Sequence, residues 1–175
     1  MYLFSCLALL FSGFLVATGD VIAQQAIERQ GKNHDVHRTA RMALIGIGIG
    51  SFLRPWYLTL DRIVKGQTKL DALKKMVLDQ MLGSPTIIFT FYTLKENFER
   101  KTFEEYKQTL RERYFKTLKT NYKFWPFVQI INFTFVPLHN RILFVNVAAV
   151  FWNTYLSWMA YKPITGKALE IGVDS

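Results

Sequence analysis

The sequence has few residues that bind metals or form covalent cross-links: one cysteine, Cys6, and three histidines among 175 residues. A single thiol cannot form an internal disulfide, which excludes a disulfide-stabilised secreted domain. His34 and His37 lie three positions apart, but no second cluster of ligands accompanies them, so we expect no metal, no cofactor and no enzyme. Charged residues are 20% of the chain, too few for charge-driven disorder.

Charge is also missing from long stretches of the chain. The first 19 residues contain no Asp, Glu, Lys, Arg or His, and the stretches 42–60, 76–94 and 124–161 contain one formal charge each. A membrane-spanning helix needs about 20 mostly apolar residues. We therefore predict membrane spans near 2–19, 42–60, 76–94 and 142–161. A soluble helical domain with very apolar core helices is the alternative.

Two further segments complete the predicted fold. Prolines and the pair His139/Arg141 interrupt the stretch before 142, so 124–138 is predicted to be membrane-associated. In 95–123, aromatic and leucine residues recur at steps of three or four, which predicts an amphipathic helix that lies on an anionic membrane or packs on the bundle. The apolar runs are too long and too uniform for a barrel. The expected class is all-α, a polytopic membrane protein with about four transmembrane helices and an extra amphipathic helix.

Four spans would place both termini and the 61–75 loop on one side of the membrane. The segments 20–41 and 95–123 would share the other side, and they hold thirteen Lys and Arg residues against seven in the termini and 61–75. The positive-inside rule then predicts that the termini lie away from the charge-retaining compartment.

Polar groups inside a span are costly and usually face the bundle interior or a water-filled cavity. Those in or beside the predicted spans are the candidates for a pore or polar core: Asp20, Gln24, Arg38, Arg41, Arg54, Asp79, Gln80, Gln129, Asn132, Arg141, Asn146, Asn153 and Ser157. Arg54 and Asp79 lie near the ends of their spans, so an interfacial position is the alternative for both. The polar stripe of the last span fits either a pore lining or hydrogen bonds between helices.

Two smaller groups of residues carry structural predictions. Gly46 and Gly50 form a small-xxx-small face that allows close helix packing. Aromatic residues at the span ends are predicted to anchor the helices at the membrane interface: Trp56, Tyr57, Trp125 and Trp158.

Several long motifs extend over most of the chain. They are Gly19-Asp20 with Gln24-Gln25, Trp56-Tyr57 with Leu60-Asp61-Arg62, the run from Lys69 to Gln80, Pro85, the run from Asn121 to Arg141 and the run from Trp152 to Trp158. Together these motifs resemble the Mpv-seventeen and peroxisomal membrane protein family of small four-span organelle proteins. The runs 69–80 and 137–141 are more similar to the mitochondrial inner-membrane side of the family than to the peroxisomal side.

The resemblance implies a weakly selective channel of the mitochondrial inner membrane. It further implies modulation of membrane potential, support of deoxynucleotide homeostasis and mitochondrial DNA maintenance, and handling of reactive oxygen species. A peroxisomal membrane pore and a non-conducting scaffold are the alternatives. The expected partners are the lipid bilayer, a second copy of the chain, and small anionic solutes facing Arg38, Arg41 and Arg141. The basic residues are divided between both membrane faces, so no direct nucleic-acid binding is expected.

Overall fold

The computed structural model describes residues 2–66 and 68–163, without the side chains of 2–6, 8, 54 and 69. The Arg54 side chain and the tail after 163 therefore lie outside the described residues. Every regular element in this part of the chain is helical. The α-helices are α1 (Tyr2–Ile22), α2 (Val36–Ile63), α3 (Lys69–Leu78), α4 (Ser84–Phe98), α5 (Phe103–Thr109), α6 (Phe115–Thr134) and α7 (Arg141–Tyr161).

Three short π-helical turns extend or join these helices. Ala23–Ile27 extends α1, Asp79–Gly83 joins α3 to α4, and Leu110–Tyr114 joins α5 to α6. The α3–α4 and α5–α6 runs are therefore continuous in direction. Single-turn 3-10 helices, Gly31–Asn33 and Leu138–Asn140, precede α2 and α7.

Capping residues set where several helices begin. Asp35 accepts a hydrogen bond from the backbone N–H of Arg38 and starts α2. Thr68 forms a capping box with Asp71 at the start of α3, and this hydroxyl bond lowers the pKa of the Asp71 carboxyl. Thr102 and Glu105 form the same motif at α5.

Successive long helical runs pass through the bundle in alternating directions. Asp20 and Ser157 are bonded, and Gly19 lies against Asn153, so α1 and α7 run in the same direction. We call the end that contains Ile27 and Tyr161 the basic end, and the end that contains Ile63 and Arg141 the opposite end.

The α6 helix runs antiparallel to α7 over most of its length. Tyr155 Oη donates to Thr120 Oγ1 at 3.0 Å, and the Trp125 ring meets the Trp152 ring at 6.3 Å. The second part of the predicted amphipathic connection thus packs on the bundle, which is one of its two predicted alternatives, and the predicted membrane-associated segment 124–138 continues the same helix to Thr134. The connection is broken by a turn at 99–102, with Arg100 at φ 51°, and its second part continues as a full pass through the bundle.

This additional pass changes the relation between the two ends of the chain. The four-span arrangement predicts both termini on one side, but α1 begins at the opposite end and α7 finishes at the basic end. The four-span prediction omits this pass because lysines on the outer face of α6 make it resemble a surface helix. Its inner face nevertheless packs on the bundle like those of the other helices. The segments 20–41 and 95–123 still begin at the basic end, so the positive-inside argument applies to it.

Length and apolar composition single out three stretches, within the described residues, that could cross a membrane: Leu9–Ile27, Val36–Ile63 and Leu138–Tyr161. The predicted span 76–94 is helical and passes through the bundle, but Asp79, Gln80 and Ser84 make it more polar. It is not among these three.

The core and surface agree with an all-α membrane protein. Met42, Ile45, Phe91 and Tyr92 are fully buried at the centre, where they pack with Trp152. Large apolar side chains are exposed along the outside of the bundle, including Phe14, Leu44, Phe89, Phe127, Ile142 and Phe151. Such a continuous apolar surface is typical of contact with lipid rather than water.

Candidate functional site

The buried carboxylate of Asp20 organises the basic end of the bundle. Its Oδ1 accepts from Arg38 Nε at 2.8 Å and from Ser157 Oγ at 2.5 Å. Its Oδ2 accepts from Gln24 Nε2 at 2.8 Å and from Thr39 Oγ1 at 2.6 Å. A buried charge is tolerated when it is paired and hydrogen-bonded. Asp20 therefore ties α1, α2 and α7 together.

Arg38 has every side of its guanidinium occupied. It forms a bidentate pair with Glu28 at 2.7 and 2.8 Å, and its remaining contacts are Asp20 and Ser157. The ring of Tyr161 covers one face of the guanidinium at 3.8 Å from its carbon. Four of the five N–H donors of this guanidinium are thus engaged inside the protein, which leaves little capacity for a solute anion.

A second charged group lies beside the first. Lys95 Nζ pairs with Glu96 and with Glu99, each at 2.9 Å, and it lies 4.9 Å from the Tyr161 ring on which Arg38 also stacks. Arg113 donates to the backbone carbonyls of Ala160 and Lys162 at the end of α7. We call the set that closes the basic end the charged plug: Asp20, Glu28, Arg38, Lys95, Glu96, Arg113 and Tyr161.

A cavity of about 480 Å³ lies within the bundle. It reaches the opposite end near Asp61 and Lys75, which are joined by an ion pair of 2.7 Å. Much of its wall is apolar and aromatic. Its polar lining consists of Ser12, Asp61, Lys75, Asp79, Gln80, Ser84, Asn121, Gln129 and Asn153.

Asp79 is held in this wall by a neighbouring helix. It begins the π turn between α3 and α4, and its Oδ1 accepts from Trp56 Nε1 at 2.8 Å. A Cβ at Gly83 would collide with both the Asp79 carboxylate and the indole of Trp56, so only glycine allows this approach. One residue along, Gln80 Oε1 accepts from Asn121 Nδ2 at 3.0 Å, which links α6 to the same turn.

All three π turns carry polar groups into the bundle. Gln24 lies in the first, Asp79 and Gln80 in the second, and Arg113 in the third. A π turn inserts one residue into a helix and often marks a functional position. Here the turns place polar side chains against neighbouring helices.

The structure divides the candidate polar residues of the sequence into three groups. The cavity wall contains Asp79, Gln80, Gln129 and Asn153. The plug and its immediate partners contain Asp20, Gln24, Arg38 and Ser157, with Arg41 nearby in an ion pair with Asp35. Asn132, Arg141 and Asn146 do not line the cavity.

Arg141 differs from its expected anion-facing position. Its Nε donates to the Val136 carbonyl at 3.2 Å and a terminal nitrogen donates to the Phe133 carbonyl at 3.3 Å. These are carbonyls near the end of α6, which has no further helical donors for them. Arg141 thus closes the turn between α6 and α7.

The glycine face of α2 packs directly on α1. A Cβ on Gly46 would lie 2.8 Å from Val16 and 2.9 Å from the Ser12 carbonyl, and one on Gly50 would lie 2.9 Å from Ser12. Gly19 has an equally close approach to Asn153 on α7. These glycines set the separation of three helices.

Two of the four predicted interface anchors lie inside the bundle instead. Trp56 donates to Asp79, and Trp125 packs edge-on against Trp152. An indole N–H seeks a partner when buried, and the Asp79 carboxylate supplies one for Trp56. Tyr57 is 53% exposed, and Trp158 is half-buried under Lys162.

Several residues of the site are not among the candidates predicted from the sequence: Glu28, Thr39, Lys95, Glu96, Arg113, Asn121 and Tyr161. Asn121 begins the longest of the motifs, which was a usable signal. Lys95 and Glu96 follow an apolar stretch and therefore resemble ordinary charges at a helix end.

Comparison with known proteins gives consistent matches. The family model described as the Mpv17 / PMP22 family matches residues 97–157. The chain is 46% identical over 153 residues to "Mitochondrial inner membrane protein Mpv17" of Danio rerio, covering 86% of each chain. It is 42% identical to the Homo sapiens protein of that name, covering 87% of this chain and 88% of the relative.

A fungal relative extends the comparison. "Protein sym-1" of Neurospora crassa is 40% identical over 152 residues, which cover 85% of this chain and 87% of the relative. No solved structure matches the chain.

Proposed function

The chain belongs to the Mpv17 / PMP22 family, and on that basis we propose that it is a multi-pass protein of the mitochondrial inner membrane that conducts small solutes or ions. The names of its vertebrate relatives, which describe mitochondrial inner membrane proteins, support this location over the peroxisomal one. With the basic end in the matrix, the positive-inside rule is satisfied.

The cavity is the observation that carries the conducting role. Polar side chains are costly within a bilayer and persist where they face one another or water. Here nine polar residues line about 480 Å³ of empty space that reaches the opposite end. The charged plug separates this space from the basic end, so the structure corresponds to a closed conformation of such a path.

The charges of the cavity support a preference for cations or neutral solutes. Lys75 is its one described basic lining residue and is paired with Asp61, and among the described side chains no cation pairs with the Asp79 carboxylate. Two of the arginines that predicted anionic solutes lie elsewhere: Arg38 is buried and ion-paired in the plug, and Arg141 caps α6. A single carboxylate produces weak rather than strict selectivity.

The remaining family roles follow from this flux. Ion conduction through the inner membrane would modulate membrane potential. Support of deoxynucleotide homeostasis, of mitochondrial DNA maintenance and of reactive-oxygen handling would then be indirect, through solute supply. The proposal includes neither catalysis nor direct contact with nucleic acid.

A non-conducting scaffold is the second candidate, and the ion pairs of Arg38 and Lys95 in the plug favour it. Ion pairs in low dielectric are costly to separate unless each charge finds a new partner. A plug that never opens would leave the cavity as an internal packing feature.

Reconstitution distinguishes the two functions. Purified protein in liposomes is expected to pass potassium and small neutral solutes, and planar bilayers are expected to show single-channel currents. Folded protein that shows neither flux nor current, while it co-purifies with a stoichiometric partner, would support the scaffold and refute conduction.

A further inference from the structure

The outer face of the third π turn and the first half of α6 is basic and aromatic. We call it the lysine face, and it consists of Arg111, Phe115, Lys116, Lys119, Tyr122 and Lys123, all of which are exposed. The inner face of the same helix carries the buried residues Thr117 and Asn121. The helix therefore packs on the bundle with one side and presents the lysines outward.

The helix that carries this face supplies no acidic residue after Glu112. The sequence contains no Asp or Glu between Glu112 and Glu170, and Glu112 accepts from Gln108. Within the part of the chain that the structure describes, Lys116, Lys119 and Lys123 take part in no ion pair. Their charges are therefore available to an external anion.

The same face becomes apolar further along the helix. Phe127, Ile130 and Phe133 are 64%, 61% and 54% exposed and continue the stripe toward the opposite end. One helix face thus changes from lysines with aromatic rings to purely apolar side chains. This order matches a lipid leaflet, in which headgroups lie above acyl chains, and Lys side chains extend toward the headgroups.

We propose that the lysine face binds the headgroup phosphates of anionic phospholipids, whose acyl chains lie along the apolar continuation. Three unpaired lysines supply charge complementarity, and the apolar half excludes a purely soluble anion as the best occupant. Basic surfaces of this kind at the cytoplasmic or matrix ends of helices bind such headgroups. The proposal is independent of conduction.

The test uses full-length protein in neutral detergent and measures binding of a diphosphatidylglycerol lipid and of phosphatidylcholine. Thermal stabilisation and native mass spectrometry provide the readouts. The variant carries Lys116→Gln, Lys119→Gln and Lys123→Gln. Its matched control carries Arg62→Gln, Lys65→Gln and Lys74→Gln, three basic residues exposed at the opposite end. Inorganic phosphate is titrated in parallel.

We expect the wild type and the control to bind the anionic lipid in preference to phosphatidylcholine. The lysine-face variant should bind at least about tenfold more weakly, since it loses three lysine charges that attract an anionic surface. A triple Lys→Arg variant, which keeps the charge, should retain binding. Equal losses in the two Gln variants, unchanged binding in the first, or equal stabilisation by inorganic phosphate would each overturn the proposal.

Discussion

The indole of Trp56 donates a hydrogen bond of 2.8 Å to the carboxylate of Asp79 inside the bundle. This bond joins α2 to the π turn between α3 and α4 and fixes a cavity carboxylate for which the described side chains supply no cationic partner. Gly83 makes the contact feasible because any side chain there would displace either group. The position of charge in the cavity therefore depends on a tryptophan and a glycine that are not themselves charged.

Neutralising Asp79 should reduce the preference for cations. We expect the potassium-to-chloride permeability ratio of Asp79→Asn to fall roughly fivefold, the effect of about 1 kcal/mol from one nearby charge. Asp79→Lys should favour anions. Reversal potentials in a salt gradient measure the ratio, with Glu104→Gln, a highly exposed carboxylate outside the cavity, as the control. An unchanged ratio in folded Asp79→Asn protein would refute the role of this carboxylate.

Removing the donor of the same bond should cost stability. Trp56→Phe keeps an aromatic ring but removes the indole N–H that donates to Asp79. This change should lower the free energy of unfolding by about 1–3 kcal/mol. Chemical denaturation in detergent micelles measures it. Trp158→Phe serves as the comparison, and the prediction fails if both substitutions have the same effect.

Gly46 should not tolerate even one added methyl group. Gly46→Ala would force α1 and α2 apart, since the new Cβ meets Val16 and the Ser12 carbonyl below 3.0 Å. We expect about 1–3 kcal/mol of destabilisation from overpacking. Gly48→Ala is the matched control, because its Cβ has one ordinary contact of 3.4 Å, with Leu94. Equal melting temperatures for the two variants would contradict close packing at Gly46.

Removing one member of the Asp20–Arg38 ion pair should destabilise the protein more than replacing both members with apolar residues. Asp20→Ala leaves the buried Arg38 with only Glu28 as a charged partner, and we expect a loss of about 3–5 kcal/mol. The double variant Asp20→Leu with Arg38→Met should recover much of it. A double-mutant cycle on unfolding free energies measures the coupling, and additive losses would argue against a coupled pair.

Tyr161 should control whether the basic end stays closed. Its ring is shared by Arg38 and Lys95, so Tyr161→Leu removes the contact between the two charged groups of the plug. Under the proposed function we expect a higher open probability in single-channel recordings. Tyr155→Leu, which changes an aromatic residue of α7 outside the plug, is the control.

Much of the helical fold follows from the sequence because charge-free runs report on lipid contact. The helices α1, α2 and α7 and the glycine face of α2 lie where the patterns predict them. The pass through α6 was missed because Lys116, Lys119 and Lys123 resemble the polar side of a surface helix. These lysines lie on the outer face because the other side of α6 packs against the bundle. The periodicity of the sequence does not identify which side of the helix packs.

The polar site divides in the same way. Asp79, Gln80, Gln129 and Asn153 could be selected because polar residues in apolar runs are unusual. The burial of Lys95 could not be selected, since it depends on Tyr161 at the far end of another helix. The roles of Arg38 and Arg141 depend on partners that only the fold brings near.

The π turn at Asp79–Gly83 changes the direction in which side chains point along the continuous helical run from α3 to α4. One residue inserted in the turn rotates every later side chain about the helix axis by about 100° relative to a regular helix. The cavity-facing residues of α3 and α4 would therefore lie on different faces of a single helical wheel. Deleting one residue from the turn would restore regular winding, and Ser84, Ile88 and Phe91 would then rotate away from the interior together. The length of this segment is therefore as strongly constrained as the identity of its residues.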